Sequence, residues 1–381
     1  MPPSADATPE PGRTGPHQRF LAGDPVPMFH TRTDGNPRYA FDSVAGRYIL
    51  LAFLGSTTHA VSAAAWEALQ RGREDGLFDD IKACAFAVTA DPADAAPRMQ
   101  DAYPGLRIFR DHDLAVSRLY GAATAPIDGD PRPGYSPFAV LLDPTLRVLA
   151  AVPIAEMTGL LHRMATLPPQ GLHSGMEVPA PVLVVPRILE PAFCRTLIAL
   201  YETHGGGESG FMRDVGGRTV GLVDANHKRR RDHNIEDETL IAGIRARLQR
   251  RLVPEIQKAF QFHATRIERY IVACYDAADG GHFRAHRDNT TRGTAHRRFA
   301  VSINLNDGFE GGDLWFPEFG PRRYRPPLGG AVVFSCSLLH EATKVMQGVR
   351  YATLPFLYDD EAARTREENQ RFLETDKPVV G

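Results

Sequence analysis

The chain has 381 residues, apolar and charged contents of 43% and 24%, and a formal net charge of -2. Length predicts two or three ordinary globular domains, and the near-neutral balance gives no electrostatic basis for nucleic-acid or acidic-membrane binding. No apolar run is long enough to span a bilayer.

The start, Met1 to Gln18, is rich in Pro, Ser and Gly and has no apolar core. It predicts a disordered tail over residues 1–18 rather than a secretory signal, and so a cytoplasmic protein.

From Tyr48 onward strands and helices alternate. Tyr48–Leu54 is a buried-strand run, Ala63–Arg73 has helical spacing, and Lys82–Thr89 is a second strand. Asp94–Tyr103 reads as a helix, Leu106–Phe109 as a short strand and Leu114–Tyr120 as a helix. Phe138–Leu142 and Arg147–Val152 then form a hairpin across Asp143-Pro144. This alternation predicts an α/β layer fold.

A Pro/Gly-rich seam, Leu167 to Pro181, marks a domain boundary near residue 175. The expected division is a domain over 19–168, a linker over 169–181, a second domain over 182–360 and a charged tail over 361–381. Beyond the seam, Ala192–Tyr201 is a helix and Leu240–Phe260 one long amphipathic helix. Strands follow at Arg269–Tyr275, Arg298–Leu305, Gly312–Phe316, Ala331–Ser335 and Tyr351–Tyr358, with a surface helix near Glu361–Leu373. Helices followed by many short strands predict an α+β unit with a jelly-roll core.

The four cysteines (Cys84, Cys194, Cys274 and Cys336) form no CxxC pair. That spacing predicts buried thiols in a reducing compartment rather than a zinc site.

In the first half, Gly23-Asp24-Pro25-Val26-Pro27, the strand YILLAFLG and the late phrase FAVLLDPTLRVLA resemble the peroxiredoxins, a thioredoxin-like family. The resemblance covers about residues 20–165. Peroxiredoxins place their reactive cysteine just after the first core strand, where this chain reads Gly55 to Ser62 without a cysteine. A hydroxyl cannot stand in for the thiolate nucleophile. His59 reads as a surface or capping residue, and Ser136-Pro137 stands where such enzymes carry an arginine. The domain is expected to be redox-inactive, serving as scaffold, dimerisation surface or substrate-presenting module. The habit of thioredoxin-like domains is the one ground for expecting a homodimer.

In the second half the pair His286-Arg287-Asp288 is useful because residues i and i+2 of a strand face the same way. Alone, such a pair also arises by chance. Its context is more specific. Phe309-Glu310-Gly311-Gly312 lies downstream, then the apolar strand Ala331–Ser335, then His340, and Arg350 ten residues later. This ordered set, preceded by Val272-Ala273-Cys274-Tyr275, resembles the prolyl-hydroxylase branch of the Fe(II)- and 2-oxoglutarate-dependent oxygenases over residues 182–359.

The resemblance implies a double-stranded β-helix in which His286, Asp288 and His340 hold Fe(II). It also implies that Arg350 receives the far carboxylate of 2-oxoglutarate, a task suited to its planar fork. O2 is the oxidant and ascorbate a candidate reductant. Two histidines and a carboxylate leave coordination positions open, as this chemistry needs. Tyr275 reads as a cosubstrate or substrate contact or as barrel packing, and Asn304 as an amide directed at the cosubstrate. His282 and His296 read as neighbours rather than ligands.

The segment Gly205 to Asp237 is expected to close in part over the substrate, while its basic run His227–Arg231 reads as a solvated turn. The implied activity is hydroxylation of a peptidyl residue or an amino-acid-like small molecule. Two other classes are a thiol peroxidase, opposed by the missing cysteine, and an iron- or 2-oxoglutarate-responsive sensor.

Overall fold

The structure is a computed structural model that describes residues 20–124, 134–373 and 379–380. The expected tail over 1–18 lies outside the described residues. The chain divides into two compact units, Met1–Glu177 and Val178–Gly381.

The first unit is built on five strands: β1 (Tyr48–Gly55), β2 (Ala83–Thr89), β3 (Leu106–Arg110), β4 (Phe138–Leu142) and β5 (Val148–Pro153). They lie in the order β3-β2-β1-β4-β5, with β1, β2 and β3 parallel and β4 and β5 antiparallel to their neighbours. Every residue of β1 and β2 is buried, as continuous apolar runs require when both faces are covered. Helices α1 (Ala60–Glu74) and α3 (Met157–Ala165) cover one face through Trp66, Leu69, Leu160 and Met164; the short α2 (Ala115–Leu119) lies between β3 and β4 in sequence.

The helix expected over Asp94–Tyr103 does not form; only a single 3-10 turn, Pro92–Asp94, occurs there. Pro97 removes a donor from the expected helix. Asp94 is fully buried and accepts from the Thr57 amide at 3.0 Å and the Thr89 hydroxyl at 2.6 Å. Its carboxylate thus stabilises the turn after β1.

The second unit pairs two antiparallel sheets. The larger contains β6 (Leu183–Val185), β7 (Gly207–Glu208), β11 (Arg231–Asn234), β12 (Arg266–Glu268), β13 (Ile271–Asp276), β15 (Phe299–Asn304), β16 (Phe309–Gly311), β19 (Ala331–Ser335), β21 (Val345–Thr353) and β22 (Phe356–Tyr358). Its main path is β12-β22-β15-β21-β13-β11-β7. The smaller runs β10 (Lys228–Arg229), β14 (His282–His286), β20 (His340–Ala342), β17 (Leu314–Trp315) and β18 (Arg323–Tyr324). Between β7 and β10 stands a hairpin of β8 (Phe211–Val215) and β9 (Arg218–Val223).

Period-two alternation divides the larger sheet's side chains. Val272, Cys274, Val301, Ile303 and Val333 pack outward against α4 (Pro191–His204), α5 (Glu238–Arg251) and α6 (Val253–Phe260) through Leu197, Ile244, Leu248 and Ile256. Ala273, Tyr275, Ala300, Phe334 and Phe356 belong instead to the clusters facing the smaller sheet. The result is a jelly roll.

Two expected elements are interrupted. The long helix breaks at Leu252, because Pro254 cannot donate to the preceding turn and starts a new helix instead. The final strand breaks at Leu354-Pro355, since proline cannot continue a sheet's hydrogen-bond ladder. A last helix, α7, spans Asp360–Asn369. No helix among the described residues is long and apolar enough to cross a membrane.

Candidate metal centre

Between the two sheets lies a part-open cavity lined by residues of both, among them Tyr275, His286, Asp288, His340 and Arg350. On one side, β14 and β20 bring His286 and His340 directly opposite one another, with ring centroids 4.3 Å apart. An irregularity in register between Phe283 and His286 turns the end of β14 toward this pairing. Asp288 follows in the loop, where its backbone amide donates to the Cys336 carbonyl at 2.9 Å.

The ligand atoms of the three residues lie within 4.8 Å of one another. Asp288 Oδ1 is 3.5 Å from His286 Nε2, and Oδ2 is 3.4 Å from His340 Nε2. Two donors bound at right angles, each about 2.1 Å from one ion, sit roughly 3 Å apart, so small adjustments suffice for a shared cation.

Hydrogen bonding selects the required tautomers. His286 Nδ1 donates to the Arg284 carbonyl at 2.7 Å, and His340 Nδ1 to the Leu338 carbonyl at 3.1 Å. A carbonyl only accepts, so each Nδ1 carries hydrogen and each Nε2 presents its lone pair. Burial, reinforced by His340, pushes the His286 pKa down to about 4, keeping it neutral at pH 7. Burial would raise the Asp288 carboxyl, but the two histidines prevail and hold it well below the usual carboxylate range. Two imidazoles and one carboxylate suit Fe(II) and leave positions for small ligands.

The scaffold behind these groups is a buried ion pair. Arg287, between the two proximal site residues, meets Glu318 at 2.9 Å, and Glu318 also accepts from the Leu339 amide at 3.2 Å. One carboxylate therefore links the loop of His286 and Asp288 to the backbone beside His340.

Across the cavity, Arg350 enters from β21 directly opposite Tyr275 of β13. Its guanidinium is 5.2 Å from the Tyr275 ring centroid and is almost fully buried. Nη2 donates to Ser302 Oγ at 2.7 Å and Nε to Asn304 Oδ1 at 3.1 Å. No carboxylate lies within ion-pair distance of Arg350 among the described residues. The turn Gly311-Gly312 makes room for it. Both glycines have positive φ, and a Cβ on Gly312 would sit 3.1 Å from Arg350 Cδ.

Tyr275, expected as a contact or as packing, lines the cavity. Its hydroxyl accepts from Arg230 Nη1 at 3.3 Å. Asn304 is a correction. It is not among the cavity-lining residues; its amide nitrogen donates to the Pro326 carbonyl, and its oxygen supports Arg350. Its strand position faces inward, and the longer arginine stands in front of it.

His282 and His296 fall outside the cluster. His282 contacts the Gly280 and Asn226 carbonyls, and His296 pairs with Glu268.

The basic run is the second correction. Lys228 and Arg230 are buried, not solvated. Lys228 lies 4.7 Å over the Phe283 ring and donates to Ser209 and the Gly210 carbonyl. Arg230 lines the cavity and pairs with Asp232. A two-residue alternation, with Lys228 and Arg230 inward and Arg229 and Arg231 exposed, was available as the signal. Sequence reasoning also missed Arg269, which lines the same cavity. Within the segment Gly205 to Asp237, the rings of Phe211 and His227 lie 4.5 Å apart, tilted by 60°, and the His227 ring lies 6.5 Å from that of His286. This segment thus contributes one wall of the site's surroundings.

Residues 270–358 match the 2OG-Fe(II) oxygenase superfamily. A PKHD-type hydroxylase of Pseudomonas fluorescens is 31% identical over 112 residues, covering 27% of this chain and 47% of that protein. One of Verminephrobacter eiseniae is 27% identical over 124 residues, 30% of this chain and 51% of that protein. The chain spans about half the length of the curated relatives it matches. Among solved structures, a prolyl hydroxylase from Trichoplax adhaerens in complex with a hypoxia inducible factor peptide fragment aligns with 17% identity. It covers 54% of this chain and 92% of that one, with a TM-score of 0.38. A Pseudomonas putida prolyl-4-hydroxylase aligns with 16% identity, 47% and 92% coverage and a TM-score of 0.33. The C-terminal unit of this chain contains a 2OG-Fe(II) oxygenase domain.

Proposed function

We propose that the C-terminal unit is a prolyl hydroxylase-like dioxygenase that uses Fe(II), 2-oxoglutarate and O2 to hydroxylate a peptidyl residue or an amino-acid-like molecule. The observation that carries this reading is the convergence of His286, Asp288 and His340 on one point of a cavity whose opposite wall presents Arg350.

His286, Asp288 and His340 would hold the iron through Nε2, carboxylate and Nε2. When bound, the iron and its 2-oxo acid supply oxidising power for C–H hydroxylation, with succinate and CO2 released. The chain's own part is positioning and exclusion of water. Arg350, fixed by Ser302 and Asn304, receives the remote carboxylate. Each charge-assisted hydrogen bond there contributes about 1.5–3 kcal/mol. Apolar residues around the cavity, including Phe334, Leu314 and Phe356, keep the reacting centre dry.

The N-terminal unit is read as a thioredoxin-like, peroxiredoxin-like scaffold without thiol chemistry, and as a candidate dimerisation surface. Its sheet order supports that reading. Its one cysteine, Cys84, is buried in β2, and burial pushes the thiol up to about 12.

The test is coupled turnover. Purified protein with Fe(II), ascorbate and 2-oxoglutarate is offered a panel of proline-containing peptides and free amino acids. Succinate release matched by gain of one oxygen atom in a panel member supports the reading. Failure of the protein to bind 2-oxoglutarate contradicts it.

A further inference from the structure

Arg230, Arg269 and Arg350 all line the cavity. Asp232 pairs with Arg230. Resting on the oxygenase reading, Arg350 takes the remote carboxylate of 2-oxoglutarate, and the other carboxylate accompanies the metal. One cation, Arg269, is then unassigned.

Its surroundings are unusual. Nε and Nη2 both donate to one backbone carbonyl, that of Leu354, at 3.1 and 2.9 Å. The guanidinium lies 4.6 Å over the Phe356 ring. No carboxylate stands within ion-pair distance of it among the described residues. The nearby Arg297 shares the Phe356 ring but is paired with Glu268.

The backbone also holds Arg269 in place, at a φ of 70°. A side chain with a Cβ rarely adopts that region, and such residues concentrate at functional sites. Arg269 and Tyr275, the latter opposite Arg350, are six positions apart on one stretch of chain. The two unpaired cations therefore enter from opposite ends of β13. Arg269 is part-buried; a cation withdrawn from water without a counter-ion is costly, and an anionic ligand reduces that cost.

We propose that Arg269 is the recognition residue for a carboxylate on the substrate, so that the enzyme selects molecules that carry an acid near the reacting residue. Burial and the neighbouring Arg230 push its pKa down to about 10, still fully cationic at pH 7. The carboxylate has two sources: the free α-carboxylate of an amino-acid-like substrate, or an acidic side chain beside the target residue of a peptide.

The test uses the full chain, loaded anaerobically with Fe(II) and 2-oxoglutarate. The charge-transfer band of that complex reports the oxygenase reading by itself. N-acetyl-L-proline and its amide are then titrated, followed by a prolyl peptide carrying glutamate and its glutamine counterpart. Perturbation of the band and calorimetry give the affinities. The acid of one pair should bind about tenfold or more tightly than its neutral partner, and the preferred pair identifies the source. Arg269→Gln should abolish that preference without changing the 2-oxoglutarate midpoint, and Arg269→Lys should retain part of it. The proposal is overturned if acids and amides bind alike, if no acid binds at millimolar concentration, or if Arg269→Gln weakens 2-oxoglutarate instead. An absent band sinks the oxygenase reading, whereas a normal band without acid preference sinks only this inference.

Discussion

Asn304 Oδ1 accepts a hydrogen bond from Arg350 Nε at 3.1 Å, deep in the second unit. The amide neutralises nothing. It fixes the direction of the guanidinium while leaving its charge for a ligand. Asn304→Asp would convert this contact into an internal ion pair that competes with the cosubstrate. The variant should fold normally and bind 2-oxoglutarate more than about tenfold more weakly, as judged by calorimetry. Unchanged affinity would show that Arg350 does not serve the cosubstrate.

Arg350→Ala removes the cation itself. Losing one charge-assisted hydrogen bond, or a little more, corresponds to a roughly 10- to 200-fold loss of 2-oxoglutarate affinity. Metal affinity measured without cosubstrate should be unaffected. Equal losses of both would indicate that the cavity has collapsed.

The Arg287–Glu318 pair joins the two loops that carry the site, so its disruption should act at a distance. Glu318→Ala removes the carboxylate that the buried Arg287 guanidinium meets, at a cost of about 3–5 kcal/mol. Melting temperature and metal affinity should fall together. A lower melting temperature with intact metal affinity would mean that the pair supports the fold alone.

His227 is not one of the three metal ligands, although its ring lies 6.5 Å from that of His286, and it provides a pH signature of its own. Burial between Phe211 and Phe283 pushes its pKa down to about 4 from an ordinary 6.5. The unfolded chain therefore binds more protons than the folded one between pH 6.5 and 4. Stability is full above 6.5 and declines as pH falls toward 4, by on the order of 1–3 kcal/mol for this group. His227→Phe should flatten that part of the urea-denaturation profile. A profile identical to wild type would remove His227 as its source.

The legible parts of this protein were those set by period and by spacing. Alternation along Ile271–Asp276 and Ala331–Ser335 separates a helix-facing side from a cavity side. The His286–Asp288 spacing places two donors together before the fold is known. Prolines limit what apolar pattern shows: Pro97, Pro254 and Pro355 each interrupt an element that the pattern alone extends. Charge in Lys228 and Arg230 suggested solvent, yet their inward alternation and the nearby Asp232 and Phe283 bury them. Arg269 carries no local pattern at all. Its position depends on a left-handed backbone angle and on a carbonyl 85 residues away.

In the proposed enzyme one cavity binds iron through His286, Asp288 and His340 and the cosubstrate through Arg350. Anaerobic visible absorption during titration with Fe(II) and then 2-oxoglutarate tests it most directly. The wild type should give a metal-to-ligand charge-transfer band, His286→Ala none, and Arg350→Ala a band only at much higher 2-oxoglutarate. A folded wild type that gives no band and binds no 2-oxoglutarate would contradict it.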